Sequence, residues 1–267
     1  MTDYAAQLPI AVEAVELASG LMRDRLPGVL TAKGDRDMAS ELDFTIEQRV
    51  RSLLQVRTPD ISFIGEEEGR AGVASDLMWS LDPIDGTANF VHGLPLCGVS
   101  LGLIHVDRPV LGVIALPFLG GLYTAVDGGG ARMNGRPIVV SETDRLREAI
   151  VAIGDYAVGD GSERKNAVRL AVTRQLVPRV QRVRMHGSAA VDLSWLAAGR
   201  IDALVMLSNK PWDTAAGVVI AREAGARTVD RDGSPHTVNS TATIAANPKL
   251  IDEMLEFVHA ASAALDA

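Results

Sequence analysis

Two aspartates three residues apart, Asp82 and Asp85, end an apolar run in Trp79-Ser80-Leu81-Asp82-Pro83-Ile84-Asp85-Gly86-Thr87-Ala88-Asn89-Phe90. Pro83 fixes its own φ, and Gly86 admits torsions and close approaches that a side chain forbids. Together they can hold both carboxylates at a strand end, aimed into one space. A helix beginning at Gly86 would turn its unpaired N–H groups on that space, where they would bind a phosphate. Hard carboxylates beside an anion-binding helix start make a Mg2+-dependent phosphate site. A surface turn of Asp-Pro and Asp-Gly is the plain alternative. The Asp-x-Asp-x-Asp-Gly spacing of a calcium EF-hand is absent.

Upstream, Ile64-Gly65-Glu66-Glu67-Glu68-Gly69 also follows an apolar run. Adjacent carboxylates repel one another, so folding must leave them in water or give them a cation. Alone, the run reads as a solvated loop. Downstream, Lys210-Pro211-Trp212-Asp213-Thr214-Ala215-Ala216-Gly217 puts Asp213 in the first turn of a helix whose small residues permit close packing. A carboxylate there also has the ordinary role of complementing the helix dipole.

Other reactive side chains read more plainly. His186 precedes Gly187-Ser188-Ala189-Ala190 and could approach a substrate, although a lone histidine is more often satisfied locally. His92 and His105 have no partner at metal-ligand spacing. Cys97 follows Pro95 in an apolar run and reads as core. Ser188 has no His/Asp set around it, which fits substrate contact better than a nucleophile.

Positioning such groups takes rigid elements. Leu8, Val12, Val15, Leu17, Leu21 and Met22 recur at helical spacing, and Pro27-Gly28 stops that helix. A second helix is predicted from near Ser40, a capping hydroxyl three residues before Asp43, with Phe44, Ile46, Val50, Leu53 and Leu54 on its buried side. After Pro59 come short apolar runs between breakers: ISFIG, LMWSL, CGVSLGLIHV, PVLGVIALPF and LYTAV. These read as strands, with turn chemistry at 106–109 and 133–136. From about Ser141 strands alternate with helices. AIVAIG precedes a helix through Arg169, RVRMH a helix through Leu196, and IDALVML a helix from Pro211; a last helix follows Pro248. This order predicts a layered α/β architecture. Residues 1–140 would form an N-terminal lobe with an antiparallel sheet and 141–267 a C-terminal α/β lobe, folding as one unit because no linker or repeat divides them.

The 267 residues are 47% hydrophobic, ample for a substantial core. Twenty-six basic against 34 acidic residues give a formal charge of −8, with no Lys/Arg-rich run. That balance argues against nucleic acid or an anionic membrane surface as partner. One cysteine excludes an internal disulfide and a Cys-rich zinc site, and suits a reducing cytoplasm. The N-terminal MTDYAAQLPIAVEAVELASG has no continuous apolar core, so it is not read as a signal peptide. No run reaches about 18 uninterrupted apolar residues, so no membrane span is expected.

In this order, Gly65-Glu66-Glu67, then Asp82-Pro83-Ile84-Asp85-Gly86-Thr87-x-Asn89-Phe90, then Trp212-Asp213-x-Ala215-Ala216-Gly217 resemble the inositol monophosphatase family of Mg2+-dependent, lithium-sensitive phosphatases. Lys33-Gly34-x-x-Asp37 with Asp43 is similar to that family's N-terminal Lys…Asp…Asp element. The segment from Gly187 to Leu193, followed by Ala198-Gly199-Arg200-Ile201-Asp202, is similar to its Gly-Ser-Ala-Ala segment. Glu223-Ala224-Gly225 matches the end of its Trp-Asp helix, with Ala226 in place of a last glycine. The resemblance covers nearly the whole chain. It implies an αβαβα sandwich, usually a homodimer, acting on a small-molecule phosphate ester with two or three Mg2+ ions per active site.

It also implies roles. Glu66, Asp82 and the Ile84 carbonyl would hold one Mg2+; Asp82, Asp85 and Asp213 would hold a second, and Glu66 a weaker third with Glu67 close by. Asp43 and Thr87 would pair and orient the attacking water, which makes Glu66, Thr87 and Asp43 the catalytic set. The N–H groups of Gly86 and Thr87 would hold the phosphate, with Ser188, Ala189, Met206 and Asp213 at the substrate.

The chain departs from the family pattern in two places. Ala39-Ser40 stands where relatives usually have Val-Thr, a change that retains a hydroxyl. Met206, seven residues before Asp213, stands where inositol-hydrolysing relatives usually carry a glutamate that bonds ring hydroxyls. The expected activity is therefore hydrolysis of inositol monophosphate or a similar polyol phosphate. The alternatives are a related phosphatase for histidinol phosphate, a sugar phosphate or fructose 1,6-bisphosphate, and a non-catalytic regulatory protein. Retention of every expected ligand argues against the last.

Overall fold

Ala11, Ala14 and Ala18, with Val15, Ser19 and Met22, form the buried face of helix α1 (Leu8–Asp24), which follows one 3-10 turn at Tyr4–Gln7. Of the expected apolar stripe, Val15 and Met22 are buried and Leu8, Val12 and Leu21 pack against the same core, while Leu17 is 37% exposed; Ala11, Ala14 and Ala18 join the buried side. The computed structural model describes residues 3–34 and 37–266, with side chains omitted at 34, 37 and 264–266. The side chain of Asp37, part of the expected N-terminal element, lies outside the described residues. Strands β1 (Leu30–Gly34) and β2 (Asp37–Ser40) form a hairpin with Leu30 opposite Ser40. That hairpin was not anticipated, because its short arms carry no alternating apolar pattern.

Helix α2 (Glu41–Arg57) starts as expected, on a capping box between Ser40 and Asp43. Its buried side includes Leu42, Ile46, Val50 and Leu54, and α1 packs with it on the outer face of the large sheet. The segment Tyr4–Asp24 has a mean hydropathy of 1.2, apolar and long enough by composition to cross a membrane. Its small-residue face is nonetheless used in this packing.

The large sheet contains β3 (Ser62–Gly65), β4 (Gly69–Ala71), β5 (Leu77–Asp85), β6 (Gly98–His105), β7 (Arg108–Leu116), β8 (Gly121–Val126), β9 (Ala131–Met133) and β10 (Arg136–Pro137). A short helix, α3 (Thr87–Val91), follows β5. The strand order is β10-β9-β8-β7-β6-β5-β3-β4. All neighbours are antiparallel except β3 and β5, which run parallel with Gly65 opposite Leu81. That exception brings two strand ends side by side and sets Glu66 next to Asp82. Between Asp82 and Asp85 the register of β5 on β6 shifts, at the point where Pro83 can donate no ladder hydrogen bond.

The C-terminal half adds β11 (Ile150–Ile153), α4 (Ser162–Leu176), β12 (Arg182–Arg184), α5 (Ala189–Ala197), β13 (Ala203–Met206), α6 (Pro211–Glu223), β14 (Arg227–Val229), β15 (Thr243–Ala246) and α7 (Ile251–Asp266). Its sheet has the order β12-β11-β13-β15-β14, the first three parallel and β15 antiparallel to both neighbours. Helix α4 runs beyond Arg169, where the sequence reading placed its end. Helices α5 and α6 form the middle layer. Val191, Ala216, Val219 and Ile220 pack on Ile114 and Tyr123 of the large sheet, while Leu193 and Ala221 pack on Ala152 and Leu204 of the smaller one. Val172 and Leu176 of α4, with Met254 and Val258 of α7, cover the far face. The layers are α, β, α, β, α, as expected.

Candidate active site

A cavity of about 390 Å3 opens over the carboxyl ends of β3 and β5 and the start of α6. Glu66, Asp82, Asp85 and Asp213 all line it. So do Ile84, Gly86, Thr87, Ser188, Ala189 and Met206, which the sequence reading had assigned to the same site. Asp43 and Glu67 lie behind this surface: Asp43 is fully buried, and the Glu67 side chain is 1% exposed.

Each group is fixed locally. The Ile84 N–H donates to Asp82 Oδ1 at 3.0 Å, an Asx-type turn that turns the chain after the strand. Asp85 accepts from the Ser188 hydroxyl and from the Ala190 N–H at 3.2 Å, which ties β5 to the first turn of α5. Asp213 accepts from the Lys210 N–H at 2.8 Å as the third residue of α6. Gly86 is the residue before α3, with φ +87, and a Cβ there would stand 3.0 Å from the Leu96 carbonyl and 3.2 Å from that of Gly187. Only glycine suits both that torsion and that spacing. The Asn89 amide holds the same junction, donating to the carbonyls of Leu96 and His186 at 2.7 Å each.

Asp43 links helix α2 to the cavity. Its Oδ2 accepts from the Ser40 N–H at 2.9 Å and from the Ser40 hydroxyl, and its Oδ1 accepts from Thr87 Oγ1 at 3.2 Å. Thr87 Oγ1 also lies 3.0 Å from the Ile84 carbonyl, a second acceptor for its single proton. The Asp43–Thr87 pairing expected from the family resemblance is thus present in the side-chain geometry.

Electrostatics make this a place that calls for a cation. Asp82 is 4% exposed, and burial followed by the charges of Glu66, Asp85, Asp213 and Asp43 hold its pKa well above the usual carboxylate range. Asp85 is held up by burial and by Asp213 against the opposing bond from Ser188. Burial raises Asp213 to about 7 and Glu67 to about 7. One cation is built in. The Lys33 ammonium stands 2.6 Å from Glu66 and 2.9 Å from Glu67, and these partners outweigh burial and raise its pKa.

The remaining donors are carboxylates and one backbone carbonyl, an all-oxygen set that fits a hard divalent cation and not a soft one. Among the described residues, no three acidic, histidine or cysteine side chains converge at ligating distance; the oxygens above face protein donors.

Sequence reasoning missed several residues. Glu47 is fully buried in α2: its Oε2 accepts from the Glu67 N–H at 2.8 Å and its Oε1 from the Glu68 N–H at 2.9 Å. It fixes the backbone that carries Glu66, yet in sequence it looks like half of a surface pair with Arg51. Asp155, Tyr156, Arg169 and Asp192 also line the cavity. The end of AIVAIG was the available signal for the first two, since open α/β sheets bind ligands beyond their strand ends. His186 lies outside the cavity lining. Its Nδ1 stands 2.5 Å from Asp192 and its ring meets the edge of Trp195, so it is satisfied locally. Cys97 is fully buried.

Comparison with known proteins agrees with this arrangement. The model of the inositol monophosphatase family matches residues 2–263. The chain is 37% identical to an inositol-1-monophosphatase, ImpA, of Mycolicibacterium smegmatis over 226 residues, 85% of this chain and 82% of that one. It is 36% identical to a fructose-1,6-bisphosphatase/inositol-1-monophosphatase of Aquifex aeolicus, covering 84% of this chain and 83% of that protein. The crystal structure of the extragenic suppressor protein suhB from Bartonella henselae superposes with a TM-score of 0.88 at 31% identity, covering 94% of this chain and 97% of that one. With the carboxylates, the glycine junction and the sandwich in place, the chain belongs to the inositol monophosphatase family and is a phosphatase.

Proposed function

We propose that this phosphatase hydrolyses inositol monophosphate and similar polyol phosphate monoesters, with Mg2+ as its metal. The observation that carries this reading is the meeting of Glu66, Asp82, Asp85 and Asp213 with the Gly86-Thr87 helix start on one cavity. Glu66, Asp82 and the Ile84 carbonyl would hold one ion, Asp82, Asp85 and Asp213 a second, and Glu66 with Glu67 a weaker third. When bound, such ions neutralise the transferring phosphoryl group, lower the pKa of the attacking water and take up charge on the leaving oxygen.

The chain's own groups do the rest. The first N–H groups of α3, at Gly86 and Thr87, have no partner within the helix and face the phosphate oxygens. Thr87 Oγ1, donating to Asp43, keeps its lone pairs for a proton of the attacking water and so orients it in line with the ester. Ser188 holds Asp85 in place and edges the substrate with Ala189. Met206 contributes an apolar wall where a hydroxyl-reading group would stand.

By the same family reasoning the protein acts as a homodimer in the cytoplasm, its two lobes folding as one unit, with Li+ as an inhibitor. Phosphate release from a panel of polyol and sugar phosphates tests the substrate reading. Inositol 1-phosphate should rank among the best substrates, and its absence from those cleaved would overturn the reading.

A further inference from the structure

Six carboxylates line the cavity, and all but one of them are engaged. Glu66, Asp82, Asp85, Asp192 and Asp213 each meet a protein donor. Asp155 meets none among the described residues. It stands at the open rim, and burial of its carboxylate raises its pKa with no donor pulling the other way.

The smaller sheet sets its place. Strands β11 and β13 run parallel with Ile153 beside Val205, and the Gly154 N–H donates to the Val205 carbonyl at 3.0 Å. Both strands therefore end on the cavity together, with Met206 closing β13 and Asp155 two residues past β11. The Met206 side chain lies across Gly154, where a Cβ would stand 2.8 Å from its Cγ. Asp155 reaches the start of α5: a Cβ on Gly187 would stand 3.6 Å from Asp155 Oδ2, next to Ser188. Asn166 of α4 grips Ala157 by both backbone groups, accepting from its N–H at 2.7 Å and donating to its carbonyl at 2.9 Å. The segment that carries Asp155 is thus held in place.

An ionised carboxylate only accepts, and its two oxygens suit two adjacent hydroxyls, whereas the Met206 thioether is a weak acceptor. Arg169 on the same wall donates to Ser208 at 2.9 Å, and its charge disfavours an ammonium beside Asp155. A second anion on the substrate would be repelled by Asp155 itself.

We propose that Asp155 reads a pair of neighbouring hydroxyls on the substrate, so that β11 supplies the acceptor that Met206 on β13 withholds. This rests on the polyol phosphate reading of the cavity and adds to it the residue that selects for hydroxyls.

The test uses the full chain in Mg2+ with three esters: inositol 1-phosphate, cyclohexyl phosphate and 4-aminocyclohexyl phosphate. They present a ring with hydroxyls, the bare ring and a ring with an ammonium. Wild-type kcat/KM should favour the inositol ester over the bare ring about 10- to 100-fold, as expected for hydrogen bonds to a charged group. Asp155→Ala should lower that ratio about tenfold or more, and Asp155→Asn, which retains one acceptor, should lower it less. A ratio that Asp155→Ala leaves unchanged, or an equal loss on both esters, would overturn the proposal. So would a wild-type preference for the ammonium ester that Asp155→Ala abolishes, because Asp155 would then read a cation.

Should the variants not fold, wild-type calorimetry with the non-hydrolysable phosphonates of inositol and cyclohexanol decides. The inositol form should bind at least about tenfold tighter, and equal affinity refutes a hydroxyl reader. No turnover of any ester would overturn the phosphatase reading instead, and the same titration on wild type and Asp155→Ala then judges Asp155 separately.

Discussion

The Glu47 carboxylate occupies the space where a side chain on Gly65 would stand: a Cβ there would lie 2.2 Å from the Glu47 carboxyl carbon. This contact lets α2 reach past the end of β3 and accept the N–H groups of Glu67 and Glu68. Gly65→Ala should push Glu47 aside, lower stability by about 1–3 kcal/mol and weaken Mg2+ binding by about 10- to 100-fold through the displaced Glu66 loop. Thermal unfolding and calorimetric metal titration measure the two effects. Unchanged Mg2+ affinity would show that Glu47 does not position the loop.

Asp82 and Glu67 should differ sharply. In the proposed arrangement Asp82 would bridge two ions, whereas Glu67 would border only the weakest site and already faces Lys33. Asp82→Asn should reduce kcat by at least about a thousandfold and Glu67→Gln far less. Relief of repulsion should leave the fold of metal-free Asp82→Asn intact or more stable. Equal activities of the two variants would mean that the ions are wrongly placed.

The raised carboxylates set an unusual pH dependence. Asp82 and Asp85 stand well above the usual range, and Asp213 and Glu67 near about 7. Without metal, the folded protein retains protons between about pH 4 and 7 that the unfolded chain has released. Stability of the metal-free protein should therefore rise as pH falls through that window. His236 opposes this: burial lowers its pKa to about 4, so the unfolded chain takes up its proton first. Comparing Tm in Mg2+ and in EDTA at each pH cancels the histidine. The Mg2+-induced increase in Tm should shrink between about pH 7.5 and 5.5, and an increase independent of pH would contradict the assignment.

Much of the site was legible because its residues are consecutive. The run from Asp82 to Thr87 carries two carboxylates, the bulge-forming proline and the glycine of the α3 junction within six positions. Ser40 and Asp43 form a capping box, a local interaction that spacing alone reveals. Groups brought in by tertiary packing were not legible. Glu47 meets residues 67 and 68, and Arg169 meets Ser208, through contacts between separate elements. The parallel pairing of β3 with β5 was hidden in a run of otherwise antiparallel strands, although it decides where Glu66 stands. On α1 the apolar spacing led to Val15 and Met22 but not to Ala11, Ala14 and Ala18, whose small side chains carry little hydrophobic signal although close packing buries them.

Met206 bears on substrate choice. Its thioether is a weak acceptor in a wall beside the cavity, where a carboxylate would take hydroxyl hydrogen bonds of about 1.5–3 kcal/mol. Met206→Glu should shift the ratio of kcat/KM for inositol 1-phosphate over glycerol 2-phosphate upward by roughly tenfold or more. An unchanged ratio, with a wild type that already prefers inositol 1-phosphate a hundredfold, would remove Met206 as a specificity determinant.

The central claim is that the carboxylate-lined cavity works only with a divalent cation. Its most direct test is phosphate release from inositol 1-phosphate by protein desalted into excess EDTA and then titrated with Mg2+. Turnover should be absent in EDTA, return with saturable Mg2+ dependence, return with Mn2+ as well, and be inhibited by Ca2+. Full turnover in EDTA would contradict the account.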